Sequence, residues 1–187
     1  MSDLKRKKIT ICRHFRTQNT SDWEWMSAQK FNEWVRFYES SLPLKGHKGE
    51  SDSKDWEICV SSSLPRAIAT AQIYAKNIPI EYNSDLNEVP FVHFNNSFFL
   101  PKAGWLFISR LCWFFGNGEY ENRKKTVSRV NKVIMMLREK NERSILIVSH
   151  GFFMNCLARE LKLLRFKGHL SIYPKHGKFY IFESYSI

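Results

Sequence analysis

Clustered metal ligands, an export signal, internal repeats and a clean membrane span are all missing from this chain, and each absence narrows what it can do. The four cysteines, Cys12, Cys59, Cys112 and Cys156, are widely separated and show no metal-binding spacing, so they read as reduced thiols of a cytoplasmic protein. Behind the basic run Lys5-Arg6-Lys7-Lys8 the apolar stretch is too short for a signal peptide, and no export is predicted. No linker or low-complexity tract divides the 187 residues, 43% of them hydrophobic, and one globular domain over residues 1–187 is expected. The segment Phe98 to Phe115 is nearly apolar, but Pro101, Lys102, Gly104 and Arg110 interrupt it, and burying those charges in lipid argues against a span. Acid is scarce: 18 Asp+Glu face 29 Lys+Arg, a net charge of +11 that favours anionic ligands. Phosphoesters and nucleic acids both qualify, but no DNA- or RNA-binding motif accompanies the charge, so a specific nucleic-acid partner is not expected.

What is present starts at Ile9 to Thr17, where the β-branched run Ile9-Thr10-Ile11 leads into Arg13-His14. A buried strand of this kind delivers polar side chains to its carboxyl end, which is where open α/β sheets bind ligands. Near the other end of the chain Ser144 to Ser149 is a second apolar run, and it stops at His150-Gly151 before a helical pattern. Two strand ends, each with a histidine, can place two imidazoles around one anion. Ile58 to Val60 is a third strand, followed by Ser61-Ser62-Ser63-Leu64-Pro65-Arg66. Ser63 is the expected N-cap, Pro65 suits the first helical turn, and Arg66 then lies beside free backbone N–H groups where its planar guanidinium can grip an anion.

These segments resemble the histidine phosphatase (phosphoglycerate mutase-like) superfamily. Arg13-His14 with Thr17 is similar to its Arg-His-Gly-x-Thr signature, Ser62 to Arg66 with Ala71 to its Ser-x-Leu-x-Arg-Ala segment, Leu86-Asn87-Glu88 to its Leu-x-Glu element, and Ser149-His150-Gly151 to its second histidine motif. The resemblance implies a phosphoryl-transfer enzyme with catalytic His14, Glu88 and His150. His14 would be the nucleophile and Glu88 the proton donor to the leaving oxygen, with Asp85 as the nearest alternative acid. Arg13, Arg66, His150 and Thr17 would bind phosphate, with no metal and no cofactor. Two positions depart from the pattern: Phe15 replaces the usual glycine, which is expected to narrow access to His14, and Arg16 stands where many members have an acidic or amide residue.

The remaining chain alternates as a layered α/β fold requires. Helices are expected at about Ser27 to Ser40, Leu64 to Lys76, Thr126 to Lys140 and Phe152 to Leu163, with short strands at Ile78 to Tyr82 and a closing pair at Leu170 to Tyr173 and Lys178 to Ser184. The outer face of the third of these helices, carrying Arg123, Lys124, Lys125, Arg129, Lys132 and Arg138, is read as solvated, as is His47, and His169 and His176 are read as uninvolved in catalysis. The aromatic-rich stretch at about 91–120 is either a partly apolar lid, as the resemblance implies, or a helix packed on the sheet. The expected fold is thus a three-layer α/β sandwich with a mainly parallel central sheet and helices on both faces. The expected function is hydrolysis of a small phosphorylated metabolite through a phosphohistidine. A phosphomutase shares its first half, and an inactive phospho-ligand or nucleic-acid binder is the other alternative.

Overall fold

The computed structural model describes residues 7–17, 24–44, 55–116 and 121–184. Lys5, Arg6 and His47, named above, and residues 117–120 at the end of the aromatic-rich stretch lie outside the described residues. The central sheet holds β1 (Lys8–Arg13), β3 (Ile58–Ser61), β4 (Ile80–Tyr82), β6 (Ser144–Ser149), β7 (Lys167–Gly168) and β8 (Phe179–Glu183), in the order β4-β3-β6-β1-β8-β7. The four strands β4, β3, β6 and β1 run parallel, and β8 and β7 close the edge antiparallel. A separate two-stranded ribbon pairs β2 (Trp25–Ser27) with β5 (Phe99–Pro101).

Parallel strands covered on both faces are apolar at every position rather than at alternate ones. Ile9, Ile11, Ile58, Val60, Ile145 and Ile147 face one way, against α4 (Arg123–Glu139) and α5 (Gly151–Leu163). Cys12, Cys59, Leu146 and Val148 face the other way, against Ala67 and Ala71 of α2 (Pro65–Tyr74). This is the expected three-layer α/β arrangement. A third cluster joins α1 (Ala28–Ser40) to α3 (Lys102–Phe115): Phe31 and Val35 pack with Met26 and a fully buried Trp105, whose indole N–H donates to the Met26 carbonyl at 2.9 Å. Removing a ring so placed costs about 3–5 kcal/mol.

Two local expectations change. The helix after β3 is capped at Leu64, not Ser63: the Leu64 N–H donates to Ser62 Oγ at 3.2 Å, while the Ser63 hydroxyl turns to Asn87. The strand that pairs with β8 on its outer side is Lys167–Gly168, not Leu170 to Tyr173. A side chain at Gly168 would meet the Ile181 carbonyl at 2.5 Å, so glycine permits that close pairing. Residues 172–174 are held elsewhere, because Asn155 donates to the Ile172 carbonyl and Arg13 to the Pro174 carbonyl.

Candidate active site

The carboxyl ends of β1 and β6 lie side by side, with Arg13 opposite Ser149 in register. The next residue on each strand is a histidine, and the two rings sit with centroids 5.0 Å apart and no exposed surface. His14 Nδ1 lies 2.7 Å from the Phe15 carbonyl oxygen, which can only accept, so the proton is on Nδ1 and the lone pair on Nε2. His14 Nε2 has no hydrogen-bond partner among the described residues.

His150 is fixed from the opposite side. Its Nε2 is 2.8 Å from Ser62 Oγ, and that hydroxyl already gives its one proton to Asn87 Oδ1 at 2.7 Å. Ser62 must therefore accept from His150 Nε2–H, which leaves a lone pair on Nδ1, again buried without a partner. Burial pushes the pKa of both imidazoles well below the ordinary 6.5. The charge of Arg66 works in the same direction on each, His176 adds to it on His14, and Arg13 and Arg129 add to it on His150. Both rings are neutral.

The arginines are held by backbone rather than by carboxylates. Arg66 is 1% exposed; its Nη1 donates to the Tyr38 and Glu39 carbonyls at 3.0 Å each, at the end of α1, and its guanidinium lies over the Tyr38 ring. Arg13 Nη1 donates to the Pro174 carbonyl at 2.9 Å, and its guanidinium lies against Gly151, where an added Cβ would stand 3.2 Å away. Both Nε atoms are buried without partners. Arg13 Nε, Arg66 Nε, His14 Nε2 and His150 Nδ1 thus form a set of unsatisfied polar atoms at the strand ends, and unsatisfied buried donors are rare unless a ligand or solvent takes them up.

Glu88 follows a short 3-10 turn, Ser84–Leu86, and caps α5: its two carboxylate oxygens accept from the Phe152, Phe153 and Val89 N–H groups at 3.0–3.2 Å. It lines a cleft of about 580 Å³ together with Arg13, Arg16, Thr17, Arg110, Phe152 and His176, and also a smaller cavity of about 240 Å³ beside Arg66 and Asn87. Asp85, the alternative acid, lines neither. Thr17 is buried to 3% at the cleft wall.

Phe15, like His14, is absent from the cleft lining: its amide donates to Thr70 Oγ1 and its ring packs against Tyr74. Two other residues are placed differently from the sequence reading. Arg129 is not a solvated residue; it turns inward, donating to the Asn87 carbonyl and pairing with Glu121 at 3.0 Å. His176 joins the site, with its Nδ1–H donating to the His14 carbonyl at 2.8 Å and its ring 5.0 Å from that of His14. The stretch from 91 to 116 is partly wall and partly packing: Phe91, Leu106 and Arg110 line the cleft, while Trp105 enters the α1 cluster.

The same fold occurs in solved structures of low sequence identity. An alpha-ribazole phosphatase from Shigella flexneri superposes with a TM-score of 0.57 at 19% identity, covering 92% of this chain and 88% of that one. A phosphoserine phosphatase mutant from Entamoeba histolytica, solved with phosphoserine, gives 0.54 at 16% identity over 95% and 97%. A mycobacterial glucosyl-3-phosphoglycerate phosphatase gives 0.55 at 17% over 84% and 83%. No curated protein sequence matches the chain. Residues 49–185 match the sequence model of the histidine phosphatase superfamily (branch 1), a span that takes in Arg66, Glu88 and His150 but begins after β1. Most of the chain lies within that match, and it belongs to the histidine phosphatase superfamily.

Proposed function

We propose that the chain hydrolyses a small phosphomonoester through a phosphohistidine on His14. The observation that carries this reading is the His14 ring itself: buried, neutral and tautomerically fixed by the Phe15 carbonyl, with its Nε2 left without a hydrogen-bond partner, as are the buried Nε–H groups of Arg13 and Arg66. Nε2 attacks phosphorus in line, and the bond from phosphorus to the ester oxygen breaks. The Nε–H groups of Arg13 and Arg66 donate to the equatorial oxygens, and their charge is preorganised by backbone carbonyls before substrate arrives. His150 Nδ1 accepts a hydrogen bond from a protonated phosphoryl oxygen and stays neutral throughout. Glu88, at the wall of both cavities, protonates the leaving oxygen, which requires it to exchange one of its backbone hydrogen bonds for that proton. In the second half its carboxylate takes a proton from water, the water oxygen attacks phosphorus, and the N–P bond breaks to restore neutral His14.

The organic part of the substrate would occupy the larger cleft, where Trp34, Phe91 and Phe152 supply aromatic surface and Arg16 and Arg110 supply charge. The test is release of inorganic phosphate from a panel of phosphorylated metabolites, with and without chelator. Activity is expected to survive chelator and to vanish in His14→Ala. Activity that chelator abolishes and added divalent metal restores would overturn the reading.

A further inference from the structure

Helix α3 carries apolar side chains all the way round, yet only part of its surface is covered. Its inner side sends Trp105 into the α1 cluster and sets Leu106 and Arg110 on the cleft wall. Its outer side shows Phe107, Leu111, Phe114 and Phe115, spaced as one helical stripe and 63%, 39%, 54% and 75% exposed. An outward stripe on a surface helix is ordinarily charged. The two charged residues of α3 do not serve that role: Lys102 is fully buried, and the Arg110 guanidinium is sandwiched between the Phe91 and Phe152 rings.

We propose that this face of α3 docks the protein onto an anionic lipid bilayer surface. The charge pattern around the stripe selects that occupant. The Arg123 guanidinium lies over the Phe114 ring, 5.6 Å from its centroid, and Lys124 and Lys125 are exposed beside it at the start of α4. No aspartate or glutamate occurs between Glu88 and Glu119, and Glu121, which lines a pocket with Leu111 and Phe115, is largely covered and neutralised by its ion pair with Arg129 at 3.0 Å. Aromatic residues interleaved with basic ones on an amphipathic surface are the combination that lies in the bilayer interface, the rings among the upper acyl chains and the cations at the headgroups. A second copy of the chain would bring the same +11 charge to the contact and be repelled by it. With 14 residues, α3 lies on a bilayer rather than through it, and no described helix is long and apolar enough to cross one.

The test is co-sedimentation with vesicles of phosphatidylcholine mixed with phosphatidylserine, compared with phosphatidylcholine alone. The full chain is expected to partition about tenfold or more in favour of the mixed vesicles at low salt, and less as salt is raised. The variant Phe107→Gln/Phe114→Gln/Phe115→Gln should lose that partition with its thermal midpoint unchanged. If that variant does not fold, Phe107→Gln alone and Arg123→Glu/Lys124→Glu should each weaken it. No partition by the unaltered chain would overturn the proposal. So would equal partition by folded variants, which would assign binding to net charge alone, or a dimer in solution that the aromatic substitutions dissolve, which would assign the face to a second copy.

Discussion

Acidification should destabilise this fold through two buried imidazoles, and the size of the effect follows from proton counting. In the folded chain burial and the neighbouring arginines hold His14 and His150 well below the ordinary 6.5. In the unfolded chain both titrate near that value, so unfolding takes up protons below pH 6.5. The stability they permit is therefore present above the unfolded pKa and lost as pH falls from there toward the folded values. Each such proton changes stability by about 1.4 kcal/mol per pH unit, so going from about one unit above to one unit below the ordinary value removes at most about 2.7 kcal/mol for the pair. Urea unfolding followed by tryptophan fluorescence across that window measures it directly. His14→Asn should lower overall stability while removing about half of the pH slope, because a structural defect alone would shift every point equally. Added inorganic phosphate should flatten the slope in the unaltered protein, since an anion between the rings favours their protonated forms. An unchanged slope in His14→Asn, or stability that rises on acidification, would refute the assignment of neutral, proton-excluding rings.

Glu88→Gln should cost about 10²-fold to 10⁴-fold on esters with poor leaving groups and much less on an activated aryl phosphate, because only the former need a proton delivered. Equal loss on both would move the acid elsewhere. Glu88→Ala should in addition lower stability by about 1–2 kcal/mol, measured by urea unfolding, as the N–H groups at the start of α5 lose their cap. Ser62→Ala or Asn87→Ala should reduce kcat by about 10²-fold through a misdirected His150, with the KM for an activated aryl phosphate little changed. Full activity in both variants would show that His150 needs no such orientation.

Much of the arrangement was legible because it depends on local pattern. The strands at β1, β3 and β6 are short apolar runs ending in chemistry-bearing residues, and the rule that parallel strands present their ligands at carboxyl ends brings Arg13, His14 and His150 together. Arg129 was misread as solvated, because counting charges on α4 hides that it falls beside Thr126, Val130 and Val133 on the buried face. His176 carries no local signal: it reaches the site because the chain before β8 bends back to bridge Arg13, a contact across 163 positions that no window of sequence contains. Asn87 is similarly silent, a turn residue whose importance lies in accepting hydrogen bonds from the Ser62 and Ser63 hydroxyls in the connection between β3 and α2. The course of Phe15 is equally silent in the sequence: the chain turns after β1 and sends the ring toward Tyr74, a contact across 59 positions. The closing strand failed for a packing reason, since Leu170 to Tyr173 looks more like a strand than Lys167-Gly168 does, and only the glycine fits against Phe182.

The most direct measurement is a rapid quench of enzyme with radiolabelled aryl phosphate, followed by peptide mapping. A phosphohistidine is labile in acid and survives alkali, whereas a phosphoserine behaves the other way round. The account predicts alkali-stable label on the peptide that contains His14, appearing before steady-state turnover and accumulating further in Glu88→Gln, where the carboxylate that activates water is gone. Acid-resistant label on a serine peptide, or no label during a single turnover faster than the steady state, would contradict it.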